Sequence, residues 1–138
     1  MILQAPELRF AEKFCTLLRE YGSARLEYVT AEFQPFSNQQ RPDVAFLPGS
    51  GGFKGQLVFF EIKFAPTTWR SQNLAEHRKL ALETLDCPIG KYIFVTPHRV
   101  ADFTKKLLLA KQILTYDSVS DEEDVLLRMG RAGIIRSA

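Results

Sequence analysis

The chain has 138 residues, of which 46% are hydrophobic and 25% are charged, and its formal net charge at pH 7 is +2. This length is near the most common size of a single domain and the composition is typical of soluble globular proteins, so we expect one domain over residues 1–138. The sequence has no apolar run long enough for a membrane-spanning helix, so no membrane partner is expected. The mildly basic balance permits a nucleic-acid partner but does not by itself indicate one.

The two cysteines, Cys15 and Cys87, belong to no CxxC or Cys/His cluster, so a zinc site is not expected. The N-terminal segment lacks the hydrophobic stretch of a secretory signal. We therefore expect two reduced, buried thiols in a cytoplasmic protein.

The first predicted element is a helix at residues 6–21. Phe10, Phe14 and Leu18 recur on one stripe at helical spacing, which predicts that this stripe faces a core. Gly22 follows the last turn, where glycine is a common C-cap.

Strands and helices then alternate along the rest of the chain. Apolar and alternating runs predict strands at 25–34, 42–48, 56–64, 91–97 and 113–117, and helices at 71–85 and 99–112. A capping-box pattern at Ser120 and Glu123 predicts a last helix that Gly130 closes. The order α-β-β-β-α-β-α-β-α predicts an α/β fold with a mixed central β-sheet flanked by helices.

Three charged residues, Asp43, Glu61 and Lys63, fall within or beside two of these strands. A hairpin that turns about Gly52 pairs Asp43 with Glu61, and directly opposed residues place their Cβ atoms about 5 Å apart on the same face. Lys63 shares the face of Glu61 because side chains alternate along a strand. The three side chains should therefore converge, unless the register slips by one residue.

Two carboxylates at this spacing suit Mg²⁺, and a neighbouring ammonium can orient water or stabilise charge on a phosphate. This combination is suited to the cleavage of phosphodiesters. The alternative is a solvated ion pair on an exposed sheet face. The strand that carries Glu61 has no polar face, which favours a buried site, since its other members include Val58, Phe59, Phe60, Ile62 and Phe64.

The residues Pro42 and Asp43, followed by Glu61, Ile62 and Lys63, resemble the PD-(D/E)XK motif of the restriction-endonuclease-like nuclease superfamily. The resemblance implies a Mg²⁺ site, in which Mn²⁺ would substitute, with Asp43 and Glu61 as ligands and the main-chain carbonyl of Ile62 as a third. It assigns Lys63 to the attacking water or the scissile phosphate.

The predicted order of an initial helix, three strands, a helix and a strand is similar to the core of that superfamily, over residues 6–97. The resemblance thus implies a restriction-endonuclease-like core. Members often add a glutamate from the first helix. Glu7 shares the stripe of Phe10 and Phe14, whereas Glu12 lies on the opposite face, so Glu7 is the favoured catalytic candidate. The alternative is an exposed carboxylate that the helix dipole favours.

Four residues are candidates for nucleic-acid binding: Trp69, Arg70, Gln72 and Arg78. Gln72 is a possible counterpart of a glutamine or lysine that some subfamilies place on the next helix, and the others could stack on bases or contact phosphates. In the alternative interpretation, Trp69 is a loop aromatic that covers the core, and the basic residues belong to a solvated helix face. The same two interpretations, phosphate contact or a solvated helix face, apply to Lys105, Lys106 and Lys111. No catalytic role is assigned to His77 or His98.

The leading hypothesis is a Mg²⁺-dependent endonuclease that hydrolyses DNA phosphodiester bonds. Its small size leaves little protein for reading a long base sequence, so we expect a structure-selective or weakly sequence-specific enzyme, acting as a homodimer or beside a partner that supplies targeting. The second hypothesis is a catalytically inactive nuclease-fold module that binds nucleic acid or a protein partner. A third is an unrelated α/β protein in which Glu61 and Lys63 form a structural pair.

Overall fold

The computed structural model describes residues 5–26, 43–64 and 89–136. Within these ranges the chain forms three helices and five strands. In chain order they are α1 (Ala5–Leu18), β1 (Gly22–Leu26), β2 (Val44–Pro48), β3 (Leu57–Ile62), β4 (Ile89–Val95), α2 (Asp102–Ala110), β5 (Ile113–Tyr116) and α3 (Glu122–Arg131). The helix predicted at 71–85 and most of the strand predicted at 25–34 lie outside the described residues.

The five strands form one sheet in the order β1-β2-β3-β4-β5. β1, β2 and β3 pair antiparallel, whereas β3, β4 and β5 pair parallel. This arrangement confirms the predicted α/β class and the mixed sheet. No helix in the part of the chain that the structure describes combines the length and the apolarity that a bilayer span requires.

The register of the β2–β3 hairpin is the predicted one. Val44 pairs with Phe60, and Phe46 pairs with Val58, so the hairpin is centred on Gly52. Pairing continues beyond β2, where the main-chain nitrogen of Asp43 donates to the carbonyl of Phe60 at 3.0 Å. The hairpin therefore brings Asp43 to the end of β3 that carries Glu61.

Alternate residues of β3 enter two separate hydrophobic cores. Phe60 packs with residues of α1 and α3, and its ring makes an edge contact with Phe14 at a centroid distance of 4.8 Å. Phe59 packs on the other face, together with Tyr92 and with Leu108 of α2. Since successive strand residues point to opposite faces, α1 and α3 cover one face of the sheet and α2 covers part of the other.

The predicted C-terminus of the first helix was wrong. α1 ends at Leu18, and a short turn closed by a hydrogen bond from Tyr21 N to Leu18 O, at 2.8 Å, leads into β1. Gly22 is the first residue of β1, not a helix cap. A Cβ atom at Gly22 would lie 2.2 Å from the carbonyl oxygen of Leu47, so glycine permits the close approach of β1 and β2.

The predicted capping box of the last helix was displaced by one residue. Asp121 is the N-cap, and its carboxylate accepts from Asp124 N at 2.9 Å. The Asp124 carboxylate in turn accepts from Ser120 N at 3.0 Å. Gly130 lies within α3, and the chain turns at Gly133, whose φ is 74°. The pattern resembles a capping box, but aspartates supply both oxygens and the second bond comes from the residue before the N-cap.

Candidate active site

The buried charged side chains of the described ranges are four in number, and they are the four that the sequence predicted as catalytic. Their exposed fractions are 4% for Glu7, 1% for Asp43, 0% for Glu61 and 2% for Lys63. We call this set the buried charged cluster. Burial of a charge is costly unless it is compensated, so the alternative of a solvated surface ion pair is wrong.

Asp43 is fixed at the open end of the hairpin. It immediately precedes β2, and its Oδ2 atom accepts a hydrogen bond of 2.7 Å from the main-chain nitrogen of Ile62. The bond joins the carboxylate of one strand to the backbone of the next. Asp43 is thus held beside the Glu61-Ile62-Lys63 segment, as the predicted register requires.

Lys63 directly follows β3 and is anchored through its backbone, because its main-chain nitrogen donates to Val95 O at 3.0 Å. Its Nζ atom lies 3.9 Å from Glu61 Oε2. Within the described ranges the Nζ atom makes no hydrogen bond. A buried ammonium that forms only a long ion pair retains donors for an additional anionic oxygen.

Glu7 reaches the same end of β3 from the first turn of α1. Its Oε1 atom accepts from Phe64 N at 3.2 Å, and the Phe10 ring makes an edge contact with the Phe64 ring at 5.5 Å. The expected alternative of an exposed N-terminal carboxylate is therefore wrong for Glu7. Glu12, the other first-helix candidate, is exposed.

The electrostatics of the cluster favour the uptake of positive charge. Burial raises the pKa of Asp43 well above its ordinary value, and the negative charge of Glu61 raises it further. The charge of Lys63 and the hydrogen bond from Ile62 oppose this rise, whereas Glu7 adds to it. Within the described ranges, the carboxylates of Glu7, Asp43 and Glu61 thus share one ammonium, and this balance favours a bound proton or cation.

Tyr92 is a further member of the site that sequence reasoning missed. Its hydroxyl donates to Glu61 Oε1 at 3.0 Å, and burial followed by the charge of Glu61 raises its pKa well above the ordinary value. The phenol therefore remains a neutral donor. Nothing local signalled this contact, because Tyr92 lies in an apolar run on β4 and meets Glu61 only through the parallel pairing of β3 with β4.

The segment 96–101, which we call the β4–α2 loop, borders the cluster. The His98 ring contacts the carbonyl oxygen of Phe64. The loop is held by Asp117, whose Oδ2 accepts from Val100 N at 2.9 Å, and by Ser118 N, which donates to the His98 carbonyl at 2.9 Å. It exposes His98 and Arg99, so two basic side chains stand on a fixed backbone beside the site.

The four residues predicted to bind nucleic acid, Trp69, Arg70, Gln72 and Arg78, lie outside the described residues. Of the three lysines left ambiguous, Lys105 forms an ion pair with Asp117 at 3.2 Å, whereas Lys106 and Lys111 are exposed. Lys105 and Lys106 belong to α2, and Lys111 directly follows it. This helix packs on the sheet face that carries Phe59. Glu61 is two residues from Phe59 on the same strand and therefore points to the same face. The sequence alone could not decide this placement.

The residues of the cluster fit an open magnesium site more closely than a closed metal cage. Within the described ranges, no group of three or more His, Cys, Asp or Glu side chains is placed to hold a metal ion. The predicted ligand set requires only two, Asp43 and Glu61, with the carbonyl of Ile62. Mg²⁺ usually keeps several waters and binds through one or two carboxylates, so two oxygen side chains in an excess of negative charge suit it.

Comparison of the chain with models of known protein families, with curated proteins and with solved structures gives no match. The resemblance to the PD-(D/E)XK nucleases therefore depends on the motif residues of the sequence alone. The functional conclusion is accordingly drawn from the buried charged cluster.

Proposed function

We propose that this protein is a metal-dependent nuclease that hydrolyses DNA phosphodiester bonds on a restriction-endonuclease-like core. The observation that carries the proposal is the buried ammonium of Lys63, 3.9 Å from Glu61 Oε2, in a cluster with two further carboxylates. A purely structural ion pair needs one acid for one base. Among the described residues, the excess of acids over bases in this cluster instead matches a centre that receives a divalent cation.

Asp43 and Glu61 would hold the ion, with the Ile62 carbonyl as a third oxygen ligand. When bound, a divalent ion supplies Lewis acidity that polarises a phosphate oxygen and makes a nearby water more acidic. Lys63 donates a hydrogen bond to a non-bridging phosphate oxygen or orients the attacking water. The hydrogen bond from Phe64 to Glu7 holds the end of β3, and thereby the main chain beside Lys63, in place.

The proposed substrate is DNA because the surface beside the cluster is basic. The β4–α2 loop, whose His98 ring contacts the Phe64 carbonyl, exposes His98 and Arg99. Such residues contact phosphates and position a duplex without reading its sequence. We accordingly propose a structure-selective or weakly sequence-specific enzyme of the cytoplasm that works as a homodimer or beside a targeting partner.

The second candidate is a nuclease-fold module that binds nucleic acid or a protein without cleaving it. It is favoured by the near-complete burial of the motif residues, since Asp43, Glu61 and Lys63 are at most 2% exposed. A catalytic centre has to contact its substrate. The enzyme therefore requires an opening over the cluster, whereas an inactive module does not.

A cleavage assay separates the two candidates. Supercoiled, linear, single-stranded and branched DNA are incubated with the protein in Mg²⁺, Mn²⁺ or EDTA. Wild type is compared with Lys63→Met, which removes the buried ammonium at similar volume, and with Lys54→Met, which changes an exposed lysine of the β2–β3 turn. Circular dichroism establishes that each variant is folded.

Metal-dependent cleavage that Lys63→Met loses and Lys54→Met retains supports the nuclease. DNA binding without cleavage in all three proteins, unaffected by metal, supports the inactive module. The absence of both cleavage and DNA binding contradicts the two nucleic-acid functions together.

A further inference from the structure

Tyr92 contacts Glu61 from the neighbouring strand β4. It pairs with Phe59 in the parallel β3–β4 ladder, and Glu61 pairs with Phe94 two positions further along. The Tyr92 side chain is 1% exposed, and its ring makes an edge contact with Phe59 at a centroid distance of 6.3 Å. Packing therefore fixes the ring, and the hydroxyl has little freedom to leave Glu61.

The two carboxylate oxygens of Glu61 have different partners as a result. Oε1 accepts the hydrogen bond from the Tyr92 hydroxyl at 3.0 Å, whereas Oε2 is the atom that faces Lys63 Nζ at 3.9 Å. An unconstrained carboxylate can rotate and offer both oxygens to one cation. Here such a rotation would break a buried hydrogen bond to an ionised group, which is among the stronger classes of hydrogen bond.

We propose that Tyr92 is a positioning residue that restricts Glu61 to binding a divalent cation through Oε2 alone. This inference rests on the proposed metal-dependent function. A carboxylate that binds through one oxygen leaves coordination positions to water, and hydrolysis needs such a water. Tyr92 thereby acts on the site through Glu61 and does not touch the substrate.

The matched pair Tyr92→Phe and Tyr116→Phe tests the inference. Both tyrosines are buried in neighbouring parallel strands, but the Tyr116 ring packs in the core on the opposite face, and its hydroxyl makes no hydrogen bond within the described ranges. Each substitution removes one hydroxyl and preserves the ring. Binding of Mn²⁺ and Mg²⁺ is measured by calorimetry without DNA, and cleavage is then measured as a function of Mg²⁺ concentration.

Loss of a partner that orients a metal ligand typically weakens metal binding about 10–100-fold, and this is the expected effect of Tyr92→Phe. The Mg²⁺ concentration for half-maximal cleavage should rise in parallel, with a smaller change in the rate at saturating Mg²⁺. Tyr116→Phe should bind metal as wild type does. Equal metal affinity of wild type and Tyr92→Phe overturns the role of Tyr92.

An infrared measurement on wild type keeps the inference testable even if Tyr92→Phe does not fold. The carboxylate band that Mg²⁺ perturbs, identified by its loss in Glu61→Gln, should show the wide separation of antisymmetric and symmetric stretches that one-oxygen coordination produces. A narrow separation, typical of two-oxygen coordination, overturns the inference and leaves the nuclease proposal intact. Wild type that binds neither metal and cleaves nothing refutes the proposed function itself.

Discussion

The carboxylate of Asp43 lies 2.7 Å from the main-chain nitrogen of Ile62, so an acidic side chain is tied to the backbone between Glu61 and Lys63. The bond gives Asp43 one strong partner. It does not neutralise the carboxylate, whose pKa is raised well above its ordinary value, first by burial and then by Glu61. Ionisation of Asp43 is therefore less favourable in the folded protein than in the unfolded chain when no cation is bound.

The first prediction follows from this cost. Asp43→Asn keeps an oxygen that accepts from Ile62 but removes the charge, so in EDTA at neutral pH we expect the variant to be more stable than wild type. Because the folded-state pKa of Asp43 exceeds its ordinary value of 3.8, wild type should gain stability as pH falls between these two values. The variant should lack that gain. Denaturant unfolding as a function of pH measures both effects.

If the proposed metal site exists, Mg²⁺ should reverse this order of stability. It would stabilise folded wild type by binding to it, whereas Asp43→Asn lacks one of the proposed ligands. Asp102→Asn is the matched control, since the Asp102 side chain is 82% exposed. It should leave stability nearly unchanged in EDTA and in Mg²⁺ alike. An Asp43→Asn protein that is less stable than wild type in EDTA at neutral pH contradicts the prediction.

The second prediction concerns the link between α1 and β3. Glu7→Gln retains an acceptor for Phe64 N, whereas Glu7→Ala leaves that N–H without one, so Glu7→Ala should be less stable than Glu7→Gln by ~1–3 kcal/mol. Chemical denaturation measures the difference. The same pair at Glu12, which is exposed, should differ much less. Equal stabilities of the two Glu7 variants would show that the bond to Phe64 contributes nothing.

The third prediction concerns the β4–α2 loop. If Arg99 contacts a phosphate, Arg99→Ala should weaken binding to branched and linear DNA to a similar extent and reduce the slope of log affinity against log salt by about 1. Fluorescence anisotropy in EDTA measures binding without cleavage. Arg131→Ala, at the last residue of α3, removes an exposed arginine elsewhere and should leave the slope unchanged. Equal slopes in wild type and Arg99→Ala would exclude the contact.

The fourth prediction concerns the close approach of β1 to β2. A Cβ at Gly22 would lie 2.2 Å from the Leu47 carbonyl oxygen and 2.8 Å from the Gly49 nitrogen, and these backbone atoms cannot yield easily. Gly22→Ala should therefore lower the free energy of unfolding by ~1–3 kcal/mol, as overpacking does. Gly52→Ala is the control because a Cβ there meets nothing within 4 Å. A Gly22→Ala protein as stable as Gly52→Ala would contradict this account of β1.

Errors at the ends of elements share one cause. Gly22 was predicted as a helix cap because glycine favours chain reversal, yet glycine also permits backbone contact between strands, and only the position of Leu47 distinguishes the two uses. The sequence predicts Ser120 and Glu123 as the capping pair of the last helix, whereas Asp121 accepts from Asp124 N and Asp124 accepts from Ser120 N. Several neighbouring polar residues could cap that helix, and the local sequence does not distinguish among them.

The sequence by itself determined the hairpin about Gly52 and, through the alternation of strand side chains, the convergence of Asp43, Glu61 and Lys63. These relationships are local, because a turn and the pleat fix which side chains share a face. Only the tertiary structure decided that Tyr92 bonds to Glu61. The register of parallel strands, like the docking of helices on a sheet, depends on packing between residues distant in sequence, which no turn specifies.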